Sequence, residues 1–590
     1  MNFLNRKLVD LWQALVAWYF GWRFGSVARR LDGPGDESGR GLLIVQIDGL
    51  SHAHLLGAVT KGYAPYIRRL LRLGEGEAFR WFCGVPSTTP VVQAGIMFGA
   101  SHLVPGFRWY DKASGKAVVS SSPRAMRALQ SQIAAEHEGI LRGGSSYANM
   151  LDGLAATSLF TLTTIGRTSL IEKIRGLGVF LVLLFSPIRI LRILGLSLWT
   201  YLIGVWRRLA AVFWPSKFGR LSFLSPFVQV ITDVLVREIQ TFAVLVDVYR
   251  GVPSIYVNYT TYDEWAHRFG PSDDYAYRAV RAIDSRIKEI DRMRRRHAGR
   301  EYDLFILSDH GMAPSVSFEA VSGCSLGQMI SDAVAKPVLT NEVFSMAYGH
   351  RSAPALLGEE IAAAESRMPN SASGLARRVR DYLQRRSETE PLELAVSVDT
   401  DIVIRNSGPL CHVYFNDVAR RMLAEEIELV HHGLIEWLAQ RPGIGAVGAL
   451  SAEGPIVVTA HGVYACVVGK GEAAFRGLPD ADKIVGSFGR LLAQEHAGDL
   501  VVLGAWDWWG VHDLVVTFER QAGTHGGVGG QQCDAFILPV GSDDYDFSDC
   551  NAPEDLYRFF LNYSKRLGEP EVAGEVLSTR AGVDKMPRVS

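Results

Sequence analysis

The chain has 590 residues, more than one small core needs, so a large catalytic domain with insertions or several domains is expected. Its 61 basic and 62 acidic residues cancel to a formal net charge of −1, which excludes a broad basic footprint for nucleic acid. Hydrophobic residues make up 48% and the mean hydropathy is +0.09, high for a soluble enzyme, so a membrane surface enters as a candidate partner.

In chain order, residues 1–40 hold Trp, Tyr and Arg in an apolar stretch interrupted by Asp10. No small-x-small cleavage site follows, so this reads as an interfacial amphipathic helix rather than a signal peptide, with a helix packed on the protein's own core as the alternative. The run LLIVQID then predicts a buried strand ending at Asp48. VPSTTPVVQAGIMFG predicts a turn held by Pro86 and Pro90, followed by a helix whose N-terminus could receive phosphate oxygens. SIYVNY and YDLFILSD are two more continuous apolar runs, preceding Asp263 and ending at Asp309. Strands of this kind, alternating with helical stretches, predict an α/β fold with a doubly wound, mostly parallel sheet. In such sheets ligands gather beyond the carboxyl ends of the strands, where Asp48, Asp263 and Asp309 fall.

Two segments read as insertions. Residues 115–240 carry a hydrophobic, basic, helical stretch in which Pro187, Arg189 and Arg192 break the apolar runs below the length of a span. A Trp-bearing basic hairpin over 176–214 is therefore expected to lie in the membrane plane, together with the N-terminal helix, at the cytoplasmic face; the alternatives are a helical cap packed against the catalytic core and a soluble cytoplasmic protein. Residues 330–500 predict a smaller α+β cap, in which His431 and His432 fall within one helix. The core is expected over 41–114, 241–329 and 501–565, and 566–590 is expected to be a loose tail.

The chemistry-bearing residues form a pattern. Asp263 and His267 are spaced i, i+4, so one helix face presents both. Asp309 and His310 end a strand, and His525 sits in the Gly-rich AGTHGGVGG, where the backbone can approach closely. Nitrogen and carboxylate ligands suit zinc at a catalytic site. The six cysteines are scattered with no CxxC pair, which argues against a thiolate zinc site or a disulfide scaffold and suits a reducing compartment. Thr89 is the hydroxyl such a site would activate by coordination. His52 and His54 are expected on the solvated start of a helix. Trp506, Trp508 and Trp509 could line a cleft or pack beneath the cap.

This set resembles the alkaline phosphatase superfamily, and within it the type I phosphodiesterase and nucleotide pyrophosphatase branch, over about 41–112, 250–315 and 500–545. The resemblance implies two divalent metal ions, zinc by preference. Asp263, His267 and His525 would hold one; Asp48, Asp309 and His310 the other, with Thr89 bridging toward it. It implies attack by Thr89, three residues after Pro86, and a phosphothreonine intermediate. The asparagine that binds a phosphate oxygen in the branch is replaced by Phe107, so Arg108 is expected to supply that contact. Val92-Gln93 replaces the usual asparagine-histidine pair, and Cys83-Gly84-Val85-Pro86 lacks the sulfatase pattern. The implied activity is phosphodiester hydrolysis, extended to lipid-linked headgroups by the apolar insertion. A phosphomonoesterase or headgroup transferase, and a non-catalytic membrane-associated binding module, are the alternatives.

Overall fold

The computed structural model describes residues 40–165, 187–213, 230–334, 338–343, 400–541 and 545–566, with positions 377 and 396. The N-terminal interfacial segment, the first limb of the expected hairpin and the tail beyond 566 lie outside the described residues.

The main sheet has seven strands: β1 (Gly41–Ile47), β2 (Phe79–Phe82), β3 (Ser145–Tyr147), β4 (Thr157–Leu159), β5 (Ser254–Tyr259), β6 (Tyr302–Leu307) and β7 (Asp534–Val540). Their spatial order is β2-β7-β6-β1-β5-β3-β4. β6, β1, β5, β3 and β4 run parallel, and β7 runs antiparallel to both β6 and β2. β1 is buried along its whole length because both faces of the sheet are covered. Leu43, Val45 and Ile47 enter one apolar layer with Phe242, Val280, Ile283 and Ile287. Leu42 and Ile44 enter the opposite layer with Val92, Ile96, Phe98 and Phe560. Burying each such side chain contributes about 1.5–3 kcal/mol before the entropy cost of ordering the chain.

The helices that position the site follow the strands. α1 (Thr89–Phe98) is buried throughout and ends at Gly99. α2 (Pro187–Phe213) is helical along its whole described length. α3 (Arg237–Arg250) packs beside β5, followed in sequence by α4 (Thr261–Phe269) and α5 (Asp274–His297).

Strands β3 and β4 belong to the main sheet, although they fall within the range read as an insertion. Their sequences, SSY and TSL, are short and polar, so they carry no apolar run. A second seven-stranded sheet contains, in order, Thr340–Val343, Ile402–Ser407, Leu410–Phe415, Leu500–Gly504, Ile444–Ser451, Gly454–Thr459 and Gly462–Ala465. Leu500–Gly504, placed by the sequence reading at the junction with the last core segment, pairs antiparallel with strands on both sides near the middle of this second sheet. The single helix expected around His431 is two short helices, Ala424–Val430 and Leu434–Ala439. His431 ends the first with its ring against Phe415, and Gly433 turns the chain at a positive φ.

The second sheet reaches the main one through the tight turn of its Ile402–Ser407 and Leu410–Phe415 hairpin. Gly408 sits there at φ +69°, and a Cβ on it would lie 2.1 Å from the His525 carbonyl oxygen. Only glycine allows this approach. On the second strand of that hairpin, His412 Nε2 donates to the Pro105 carbonyl (2.9 Å), and its Nδ1 accepts from Gly498 N–H (3.0 Å). Burial lowers the pKa of this imidazole to about 4, so it stays neutral in the folded protein. The unfolded chain protonates near pH 6.5, so His412 contributes no pH dependence above that value. Stability then falls by about 1.4 kcal/mol per pH unit as pH drops from 6.5 toward 4. His412→Gln should flatten that part of the acid limb in urea titrations at pH 7, 6 and 5. An unchanged slope would mean that His412 is not the group responsible.

Candidate metal and nucleophile site

Each acidic residue of the site stands where a parallel strand ends or the following helix begins. Asp48 follows β1 and donates its backbone N–H to Tyr259 O (3.1 Å). Asp309 follows β6, and one of its oxygens accepts from Gly49 N–H at 3.2 Å. Gly49 has φ +72°, and a Cβ there would meet Asp263 Oδ1 at 2.6 Å, so glycine lets the chain after Asp48 turn beside the second carboxylate. Asp263 and His267 lie on α4 with Oδ2 and Nε2 3.3 Å apart.

The three histidines are oriented alike. His267 Nδ1 lies 2.8 Å from Gly523 O, His310 Nδ1 2.9 Å from Gly311 O, and His525 Nδ1 2.9 Å from Ser87 O. A carbonyl only accepts, so each Nδ1 carries the proton and each Nε2 offers a lone pair inward. The Nε2 atoms of His267 and His525 face each other at 3.1 Å. Two lone pairs so placed require a cation or a proton between them.

Ligand atoms of Asp48, Asp309 and His310 lie within 4.8 Å of one another, and so do those of Asp263, His310 and His525. His267 joins the second group through Asp263 and His525. His310 thus reaches both groups, where the resemblance implied two separate triads. Asp263 Oδ1 and Asp309 Oδ2 are buried without a hydrogen-bond partner. Burial pushes the Asp48 pKa well up, aided by the charges of Asp309 and Asp263, and burial also raises that of Asp309. For Asp263 burial acts upward, but His267, His525 and His310 outweigh it and hold the carboxyl below its usual range. The same pairing raises His267 against the effect of burial, while burial and the charge of His310 lower His525. Three carboxylates in one dry cluster repel one another, and inward imidazole nitrogens with orphaned carboxylate oxygens form a donor set fitted to divalent cations such as zinc.

Thr89 is the first residue of α1, with Thr88 as its N-cap and Pro90 next. Thr89 Oγ1 lies 3.2 Å from His310 Nε2 and donates toward Asp48 Oδ1 at 3.4 Å. The Thr88 hydroxyl has no hydrogen-bond partner. Ser87 ties this turn to the His525 loop, donating to Gly527 O (3.2 Å) and accepting from Gly526 N–H (3.0 Å).

The structure therefore brings Asp48, Thr89, Asp263, His267, Asp309, His310 and His525 together. Arg108 is held differently. It is buried, and its Nη1 donates to Glu519 (2.8 Å) and to Asn406 O (2.9 Å). Sequence reasoning missed Glu519, whose only signal was one carboxylate in an otherwise ordinary loop. It also missed Asn258, whose amide donates to Asp48 Oδ2 at 2.7 Å. An asparagine inside the apolar run SIYVNY was the available signal. His54, expected in solvent, is buried with Nδ1 2.7 Å from Ser51 Oγ, and burial lowers its pKa to about 4. Trp506 packs against Phe475 and Trp509 is exposed.

A doubly wound sheet with carboxylates and imidazoles converging beside a helix-capped hydroxyl belongs to the α/β class that binds ligands at strand ends. Residues 42–330, just under half of the chain, match the family model for type I phosphodiesterase / nucleotide pyrophosphatase. His525 lies beyond the matched stretch. No curated protein matches the chain. Among solved structures, the chain is similar to phosphonoacetate hydrolase from Sinorhizobium meliloti 1021 in complex with phosphonoformate. That match has 12% identity and a TM-score of 0.47, over 90% of this chain and 96% of that one. It is also similar to murine ectonucleotide pyrophosphatase/phosphodiesterase 5, with 9% identity and a TM-score of 0.41, over 89% of this chain and 95% of that one.

Asn258→Ala removes the donor that orients Asp48 without touching the ligand itself. Zinc affinity measured by competition with a chelating dye should fall by about 10–100-fold while far-UV circular dichroism stays unchanged. Unaltered affinity would show that Asn258 does not position the carboxylate.

Proposed function

We propose that this phosphoester hydrolase cleaves phosphodiesters through Thr89, with two zinc ions held by the buried cluster. The observation that carries the reading is the Thr89 hydroxyl, the first residue of a buried helix, facing both Asp48 and His310 Nε2. The ions would be held by Asp48, Asp309 and His310 and by Asp263, His267 and His525. They would lower the hydroxyl's pKa and neutralise charge that develops on the phosphoryl oxygens.

The protein's own groups supply the rest. Thr89 Oγ1 donates toward Asp48 Oδ1, and loss of that proton leaves the oxygen nucleophilic at the mouth of α1. Its attack on phosphorus forms the Thr89 O–P bond as the P–O bond to the leaving alcohol breaks, and the alcohol takes a proton. Water then attacks phosphorus, and Thr89 Oγ1 leaves and regains its proton. The positive end of α1 attracts phosphate oxygens in both steps. The carbonyls of Gly523, Gly311 and Ser87 hold the three imidazoles in one tautomer throughout. Arg108 Nη1 is engaged by Glu519 and by the Asn406 carbonyl, so a contact from that atom to a substrate oxygen requires exchange of one of them. The apolar α2 extends the reading to phosphodiesters carried on lipid-linked headgroups.

Thr89→Ala should reduce turnover of bis-p-nitrophenyl phosphate by about a thousandfold or more, and Thr89→Ser should recover part of it. A strong chelator should abolish the wild-type rate and zinc should restore it. Equal rates in wild type and Thr89→Ala would remove Thr89 from the mechanism, and chelator-resistant turnover would remove the metals.

A further inference from the structure

α2 reverses the usual pattern of a surface helix. Leu191, Leu194, Leu198, Trp199, Leu202, Trp206 and Leu209 are each 52–69% exposed. At about 100° per residue, these seven positions fall in a single arc of about 140°. The side turned to the protein is more polar and smaller. Ile193 and Gly204 are buried there, Ser197 and Thr200 are half-buried, and Arg192 pairs with the buried Glu238 of α3 and lies 3.7 Å from Glu289 of α5. Seven large side chains more than half exposed present on the order of 800 Å² of apolar surface, above the largest patch of an ordinary monomer.

The charge around this face favours one occupant. Between 187 and 213 the sequence has Arg189, Arg192, Arg207 and Arg208 and no acidic residue. A second copy packed face to face would bring two such segments together, with like charges opposed. An anionic lipid surface complements the charge and accepts the apolar arc, and Trp199 and Trp206 suit the headgroup level. Among the described residues no helix is long and apolar enough to cross a membrane, and α2 has one side fastened to the protein through Arg192. Its length of about 40 Å therefore lies along the surface.

We propose that the exposed face of α2 docks the protein in-plane on anionic phospholipid bilayers. The docked helix is coupled to the site through α3. Two residues beyond Glu238, Gln240 donates to the carbonyl oxygen of Asn258, whose amide holds Asp48. Docking is independent of the hydrolytic reading, since it requires neither Thr89 nor metal.

The test is co-sedimentation of the full-length protein with phosphatidylcholine vesicles, with and without phosphatidylglycerol. Leu198→Glu/Leu202→Glu is compared with Leu429→Glu, an 86% exposed leucine on the second-sheet side. Wild type and Leu429→Glu should bind the anionic vesicles, more weakly at high salt. The α2 variant should lose about tenfold in partition with an unchanged melting curve. Any of four results overturns the proposal. These are no binding by wild type, equal binding to neutral and anionic vesicles, undiminished binding by the α2 variant, or a wild-type dimer in analytical ultracentrifugation that the same substitutions convert to monomer. None of these outcomes depends on turnover, so loss of the hydrolytic reading and loss of the docking reading are separable.

Discussion

The rest of this structure depends on one electrostatic constraint, the burial of Asp48, Asp263 and Asp309 close enough to act on one another's charge. Dry carboxylates at that spacing repel, and desolvation penalises each one separately. The fold holds them together because each is fixed to a different rigid element. Asp48 and Asp309 follow adjacent parallel strands, and Asp263 stands in the first turn of α4. No single loop could relax and separate them. The imidazoles turn Nε2 lone pairs into the cluster, and the oxygens of Asp263 and Asp309 that lack a hydrogen-bond partner mark where positive charge belongs.

The constraint spreads outward through the histidines. Their Nδ1 atoms are committed to carbonyls from three different segments, after β6, before His525 and in the turn that leads to Thr89. Ring orientation is therefore a property of backbone placement, and backbone placement depends on packing. Ser87 shows how closely this is coupled. Its carbonyl orients His525, its hydroxyl ties the His525 loop, and two residues later the same turn presents Thr89. The second sheet closes the arrangement from the other side, where Gly408 meets the carbonyl of His525 and Ser407 Oγ accepts from the Arg108 backbone. Arg108 and Glu519 form a buried ion pair at that junction. Such pairs define geometry more than they add stability.

α2 belongs to a different physical regime. Its contact with the protein is narrow and partly ionic, and its apolar side is turned outward. Among the described residues, none of α2 enters the two apolar layers that cover the main sheet. Its attachment beside α3 nevertheless connects a surface device to the element that borders Asp48.

The sequence alone determined the parts governed by local pattern. Continuous apolar runs located β1, β5 and β6, and strand-end geometry placed Asp48 and Asp309 where ligands collect. The i, i+4 spacing paired Asp263 with His267, and the Pro-flanked threonines before an apolar stretch located the start of α1. Short polar strands such as Ser145–Tyr147 had no periodicity to reveal them, because neighbours in the sheet supply their stability. Only the tertiary structure decided that His310 reaches both clusters of candidate ligands, that Asn258 holds Asp48, that Glu519 takes Arg108 and that backbone carbonyls orient the imidazoles. Those choices are made by atoms hundreds of residues apart and, for the carbonyls, by groups every residue carries. A sequence can name the ligands because their chemistry is in their side chains; it cannot name what aims them, because aim belongs to packing.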